Sequence, residues 1–214
     1  EGSTGVTEAG GTDTFTVVLN AQPDSNVVLS IASSDTGEAT VTGTVTFTPA
    51  NWDTAQTVTV TGADDDLVDG TVSSTTTISV VDAASDNNFD GVADQTVSVS
   101  TTDDDVAGFT VAETEGSTGV TEAGGTDTFT VVLNAQPDSD VVLSIISSDT
   151  GEATVTSSLT FTSANWDTAQ TVTVTGADDD LIDGTISSTI TISINDAASD
   201  NNFDGVADQT VSVS

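Results

Sequence analysis

The sequence predicts an all-β chain of two antiparallel sandwiches in tandem, about seven strands each. Three observations carry this: a repeat that spans the chain, apolar residues that alternate with period two, and the absence of any helical period. The stretch "EGSTGVTEAGGTDTFTVVLNAQPDS" at 1–25 returns unchanged at 115–139, and residues 1–100 differ from 115–214 at 11 positions. A repeat at this spacing is read before anything else, because it sets the domain count. The sequence therefore divides into a first repeat at 1–100, a linker at 101–114 that also holds the first strand of the second repeat, and a second repeat at 115–214. Several of the differences, Val45/Leu159, Val68/Ile182, Val72/Ile186 and Val80/Ile194, add about one methylene and keep the apolar character, a change that cores tolerate.

In the second repeat, strands are expected at 108–113 (GFTVAE), 126–133 (TDTFTVVL), 140–146 (DVVLSII), 158–162 (SLTFT), 170–176 (QTVTVTG), 185–194 (TISSTITISI) and 209–214 (QTVSVS). Each alternates apolar and polar residues and is rich in Val, Ile and Thr, the pattern of a half-buried strand. Phe129, Val131 and Leu133 face one way along the second of these, with Thr128, Thr130 and Val132 on the other face. The joints carry Pro, Gly, Asn and Asp, as in "NAQPDS" and "DNNFDG", which set turn dihedrals. "SANWDTAQ" at 163–170 has the length for one turn, with Trp166 as a plug at an end of the core. A short segment beginning at Ala39, "ATV", is the one piece that this strand series does not absorb.

Charge narrows the function. The chain holds 35 Asp and Glu and no Lys, Arg or His, a formal charge of −35 on 214 residues. Two carboxylates 6 Å apart repel by roughly 0.7 kcal/mol in water and about four times that near a protein surface. The run "TGADDDLVDG" at 61–70, repeated as "TGADDDLIDG" at 175–184, concentrates that repulsion, and only a cation from outside the chain can answer it. Nucleic acid is excluded as a partner, since its phosphates are met by Lys and Arg, and so is an anionic membrane surface. No apolar run approaches the roughly 18 residues of a membrane-spanning segment, so direct insertion is not expected. With no Cys, neither disulfides nor thiolate metal sites are available.

Catalysis is not expected, because His, Cys, Lys, Arg and Tyr are absent. A carboxylate pair could in principle hydrolyse glycosides, but two Trp, one per repeat, do not line a sugar cleft. Thr-x-Thr runs such as "TVTVT" fit half-solvated strands without any ice-binding or glycan-binding role.

The string "TEAGGTDTFTVVL…SSDTGEATV…LTFTSANWDTAQTVTVTGADDDLIDGT…TTDDD" resembles Calx-β domains, in the tandem form found in large bacterial surface and adhesin-like proteins. The resemblance covers both repeats almost end to end. It implies an immunoglobulin-like sandwich that binds Ca²⁺ at one end, through an acidic residue opening the second strand, the loop between the fifth and sixth strands, and aspartates after the last. Carried over by position, the implied ligands are Glu8, Asp64, Asp65, Asp69, Asp103, Asp104 and Asp105 in the first repeat. In the second they are Glu122, Asp178, Asp179 and Asp183, with the terminal aspartates expected beyond Ser214. Strand order argues for the same clustering without the family: in an up-and-down succession, Glu8, Asp35, Glu38, the 64–69 loop and 103–105 reach one end. Oxygen ligands alone favour calcium, which takes six to eight of them, over zinc, copper or iron, which prefer His and Cys.

A weaker candidate is "DNNFDGVAD", whose Asp86, Asn88, Asp90 and Asp94 echo the opening of a calcium loop; Val97 stands where the twelfth-position Glu would be. Its second copy is Asp200, Asn202, Asp204 and Asp208. The same residues also make an adequate turn.

These readings combine into a calcium-dependent, extracellular or cell-surface structural module of bacterial type, a spacer or stalk of an adhesin or fibre, stiffened by Ca²⁺ at acidic ends between repeats. Its partners are neighbouring repeats of the same chain and other copies of the protein in a fibre. The alternatives are a surface glycan-binding module and a passive acidic spacer. A further expectation concerns strands: residues 103–114 supply the first strand of the second repeat, and the first repeat has no counterpart in residues 1–100. That strand is expected from a preceding segment of a longer array, or from another chain.

Overall fold

The computed structural model describes residues 3–182 and 184–214. Its contacts divide the chain into two compact units: residues up to Asp65 with Asp69–Asp104, and Asp66–Val68 with Asp105–Ser214. Both are β-sandwiches. Among the described residues there is no α-helix, only 3-10 turns such as Asp82–Ala84 and Asn87–Phe89 and their copies Asp196–Ala198 and Asn201–Phe203, and hence no helix long and apolar enough to cross a membrane.

The first unit is built from β1 (Ser3–Thr7), β2 (Thr12–Val17), β3 (Val27–Ser33), β4 (Ala39–Val41), β5 (Thr44–Phe47), β6 (Gln56–Gly62), β7 (Val72–Val80) and β8 (Gln95–Thr102). One sheet runs β1-β8-β7-β3-β5 and the other β2-β6-β4. Apolar side chains from both sheets close the core: Val27, Leu29 and Ile31 of β3, Phe47 of β5 and Ile78 of β7 meet Val58 of β6, with Phe15 and Val17 of β2 half-buried against them. A second cluster, Val6, Ala39, Val60 and Val99, fills the end where the acidic residues gather.

The second unit has β9 (Phe109–Glu113), β10 (Thr126–Leu133), β11 (Val141–Ser147), β12 (Ala153–Val155), β13 (Ser158–Phe161), β14 (Gln170–Gly176), β15 (Ser188–Ile194) and β16 (Gln209–Val213). Its sheets run β12-β14-β10-β9 and β13-β11-β15-β16. Here one continuous core joins Phe129, Val131 and Leu133 of β10 and Val172 and Val174 of β14 to Leu143, Phe161, Ile190, Ile192 and Val211. Trp166 packs half-buried against its edge.

Each unit therefore has eight strands among its described residues, one more than the seven expected of the second repeat and two more than the six expected of the first, which was read without a first strand. In the first unit both additions matter to the acidic end. The "ATV" segment is a strand after all, β4, pairing antiparallel with β6 through Ala39–Gly62, Thr40–Thr61 and Val41–Val60. Residues 3–7 form β1, which lies parallel to β8 from Ser3–Ser98 to Thr7–Thr102 and departs from the all-antiparallel expectation. Gly5 and three Ser or Thr residues gave β1 too weak an apolar alternation to be read as a strand. Asp13 holds it in place, accepting from Thr4 Oγ1 (2.6 Å), Gly5 N (3.2 Å) and Thr14 N (2.7 Å). The hydroxyl of Thr4 and the two backbone N–H groups hold the Asp13 carboxyl below its ordinary value.

One core position separates the copies. Thr76 of β7 is 0% exposed and its hydroxyl has no hydrogen-bond partner, whereas the equivalent residue in β15 is Ile190, also fully buried. A buried, unsatisfied hydroxyl costs about 1–3 kcal/mol. Thr76→Val keeps the shape and removes that cost, so it should stabilise the first unit by about 1 kcal/mol. The denaturation midpoint should rise with no change in slope; a lower midpoint would mean that the hydroxyl is satisfied in solution.

Candidate metal centre

Four pieces of backbone carry carboxylates to one end of the first unit. Glu8 lies in the turn from β1 to β2, just past the pairing of Thr7 with Thr102, and its N–H donates to the Thr102 carbonyl at 3.1 Å. Glu38 immediately precedes β4, and its carbonyl accepts the N–H of Ala63 (2.8 Å), tying it to the end of β6. Asp69 stands in the loop from β6 to β7, and Asp103 follows β8. The Asp103 carboxylate accepts from the N–H groups of Asp69 (3.1 Å) and Gly70 (2.8 Å), which fixes the loop against the end of β8.

Glu8, Glu38 and Asp69 each present a carboxylate oxygen within 4.8 Å of the other two. Oxygens bound to one calcium ion at 2.3–2.6 Å lie at most about 5 Å apart, so this spacing suits a shared cation. Burial is severe. Glu8 is 0% exposed and Glu38 7%, and neither oxygen of Glu8, nor one oxygen of Glu38, receives a hydrogen bond. Burial first, then the negative charges of Asp103, Asp65, Asp69 and Glu38, push the Glu8 carboxyl up to about 7. Glu38 is raised by burial first and then by Asp69, Asp65 and Asp35, with the neighbouring Glu8 side chain as the one opposing influence. Both shifts have the same meaning: this end disfavours a second negative charge unless a cation offsets it. Glu8, Glu38 and Asp69 would hold such a cation, which would supply the positive charge that the chain lacks.

Of the sequence-derived residues, Glu8, Asp69 and Asp103 thus meet at this end, and Asp65 is near enough to raise Glu8. Asp64 and Asp104 are exposed, and Asp104 and Asp105 stand on either side of the division between units. Glu38, which the resemblance did not carry over, is in the triad; the topological argument was the signal that found it.

The second unit presents the same end more openly. Glu122 and Glu152, the counterparts of Glu8 and Glu38, are only half-buried and line a cavity of about 260 Å³ with Ala153, Gly184, Ser188 and Val213. Asp178 and Asp179 are exposed, with Asp179 accepting the N–H of Leu181 at 2.7 Å. Asp183 lies outside the described residues.

The "DNNFDGVAD" loops have a different local use. Asp86 is buried and its carboxylate accepts from the N–H groups of Asp24 (2.6 Å), Ser25 (3.0 Å) and Asn88 (3.0 Å). Those backbone donors hold it below the ordinary carboxylate value. It caps a 3-10 turn and pins the β2–β3 loop, so its spacing is accounted for by turn chemistry. Asp200 repeats this with Ser139 and Asn202, both at 2.9 Å. Asn88, Asp90, Asp94, Asn202, Asp204 and Asp208 are exposed.

No protein-family model matches the chain, and no curated protein does. Among solved structures, it is similar to the calcium binding domain CBD12 of CALX1.1, with 18% identity over 90% of this chain and 77% of that one, and a TM-score of 0.36. Surface layer protein SbsC, domains 1-6, has 19% identity over 86% of this chain and 19% of its own, with a TM-score of 0.41. The D0-D1 domain of Intimin has 15% identity over 99% and 91%, with a TM-score of 0.32. At this level of overlap these are likenesses, and the argument about function rests on the acidic end itself.

Proposed function

We propose that the chain is a calcium-dependent structural repeat of an extracellular or cell-surface protein, serving as a spacer or stalk whose partners are repeats of its own kind. The observation that supports this most is Glu8: a fully buried carboxylate with no donor to either oxygen, within reach of two more carboxylates, in a chain with no cationic side chain. A buried charge without a partner is among the most costly groups in a protein. A divalent cation turns that cost into binding energy, and the hard oxygen set selects calcium over softer metals. Calcium that binds the folded state alone stabilises it by about 2.7 kcal/mol at a hundredfold excess over its dissociation constant, which for extracellular modules is about 10⁻⁴–10⁻³ M.

Calcium titration followed by calorimetry tests this. The expected result is saturable binding and a rise in melting temperature that chelator reverses. Glu8→Gln should abolish the response of the first unit. Identical melting in calcium and chelator at matched ionic strength would leave a passive acidic spacer as the reading, and binding on a glycan array that does not depend on calcium would favour the glycan-binding module.

A further inference from the structure

Residues 1–25 and 115–139 are identical, as are 85–100 and 199–214, yet their side chains are not buried alike. Phe129, Val131, Leu133 and Ala135 are buried in the second unit, whereas Phe15, Val17 and Leu19 are only half-buried and Ala21 is exposed in the first. Phe203 is fully buried and Phe89 is not. These stretches being identical, the difference comes from what lies alongside, which in the second unit is the segment 66–68, bonded to Gln136 and Asn202, and the strand β9. This strand pairs antiparallel with β10, from Phe129–Glu113 through Val131–Val111 to Leu133–Phe109, and buries Phe109 in the core.

Among the described residues no strand takes that place beside β2, which is the edge of its sheet. A groove of about 490 Å³ opens there instead, lined by Val17, Leu19, Leu29, Ile78, Val80 and Phe89. Three local differences follow the same line. β10 continues to Leu133, but β2 ends at Val17, two residues short of Leu19. Asn134 N–H donates to the Gly108 carbonyl (2.9 Å) and its side-chain oxygen accepts from Thr110 Oγ1 (2.8 Å). The Gln209 side chain donates to the Phe109 carbonyl, while its counterpart Gln95 turns to its own neighbours, the carbonyls of Ala93 (3.1 Å) and Asp94 (3.3 Å).

We infer that the groove beside β2 is a docking site for one extended strand with the chemistry of residues 108–113, antiparallel to β2. Its register is set by the second unit: the Phe of the incoming strand opposite Leu19, its Val opposite Val17 and its Glu opposite Phe15. Main-chain hydrogen bonds along the open edge supply affinity, and pockets for alternate side chains supply selectivity. An apolar residue at the Phe position is required, because this side chain fills the groove. The inference does not depend on calcium.

The test adds a peptide of residues 107–114 (AGFTVAET) to the intact 214-residue chain, with amide hydrogen exchange as the readout. Amides at 15–19 should slow in a saturable manner, while those of β10 stay unchanged. Trp52 gives a second readout in a Trp166→Phe chain, since its carbonyl accepts the N–H of Leu19. Peptides carrying Phe109→Ala should bind at least about tenfold more weakly, the loss of a buried aromatic side chain. Unchanged exchange at 15–19 with millimolar peptide, or equal binding of the substituted peptide, would overturn the proposal. Concentration-dependent dimers that protect 15–19 without peptide would overturn it in favour of a second copy as occupant.

Discussion

In chelator, lowering the pH from 8 to 5 will raise the melting temperature of the first unit, the reverse of ordinary acid destabilisation. The Glu8 carboxyl stands at about 7 in the folded chain against an ordinary 4.5, and Glu38 is raised as well. Between those two values the folded state holds a proton that the unfolded state has released, so folding is favoured by protons. The stabilisation is fully present below 4.5 and is lost as pH rises through 7. For Glu8 alone the span corresponds to about 3 kcal/mol. In a domain of this size that is a shift of about 10 °C or more.

Saturating calcium should reverse the sign. The metal holds the glutamates in their charged form, so acidification competes with binding and lowers the melting temperature. Glu8→Gln provides the control: in chelator it should raise stability at pH 8 and flatten the profile, and calcium should no longer change it. Melting profiles in chelator that fall with acidification over pH 8 to 5 would mean that Glu8 is solvated in solution, and the candidate metal centre would lose its main support.

The strands were legible because their faces differ so sharply: Phe129, Val131 and Leu133 against Thr128, Thr130 and Val132 admit only one period. β1 and β4 were harder to read for a physical reason. A run such as STGVT has one apolar side chain, Val6, to bury, and its place is set by Asp13 and by pairing with β8, contacts outside the run itself. The acidic end shows the same division. Clustered aspartates pointed to a cation in the sequence, but the buried carboxylates at this end are isolated glutamates, Glu8 in "VTEAG" and Glu38 in "TGEAT". Each is held beside a segment distant in sequence, Glu8 at Thr102 and Glu38 at Ala63, so nothing in their immediate sequence marks their burial. Conversely, Asp86 looked like part of a metal loop because Asp and Asn at alternate positions suit both coordination and turn capping. The N–H groups of Asp24 and Ser25, some sixty residues away, give its carboxylate a structural partner that its own loop does not reveal.

Gly62→Ala should be the single small substitution that damages both the fold and the calcium response. Gly62 ends β6, pairs with Ala39 of β4, and is buried beneath the turn that leaves β1. A methyl group there would overlap the carbonyl oxygen of Thr7, a backbone atom that cannot step aside by rotating a side chain. Relief requires the Thr7–Glu8 peptide to move away from β6, and Glu8 is the residue whose carboxylate the candidate centre needs most. The second unit repeats the arrangement at Gly176 and Thr121, so the constraint belongs to the fold and not to one copy. Overpacking of this kind costs about 1–3 kcal/mol where side chains can adjust, and the upper end of that range is expected where backbone must shift. The chain carrying Gly62→Ala should therefore lose about 3 kcal/mol from its first unfolding transition in chelator and show a calcium-induced rise at least about tenfold less sensitive to calcium concentration. Gly70→Ala is the comparison: Gly70 also lies at this end, at φ 76° with open space around it, so its cost is confined to backbone strain of about 1 kcal/mol. If Gly62→Ala melts and binds calcium as the unaltered chain does, the close approach of β6 to the β1–β2 turn is not what positions Glu8, and the centre must be assembled from the β6–β7 loop instead.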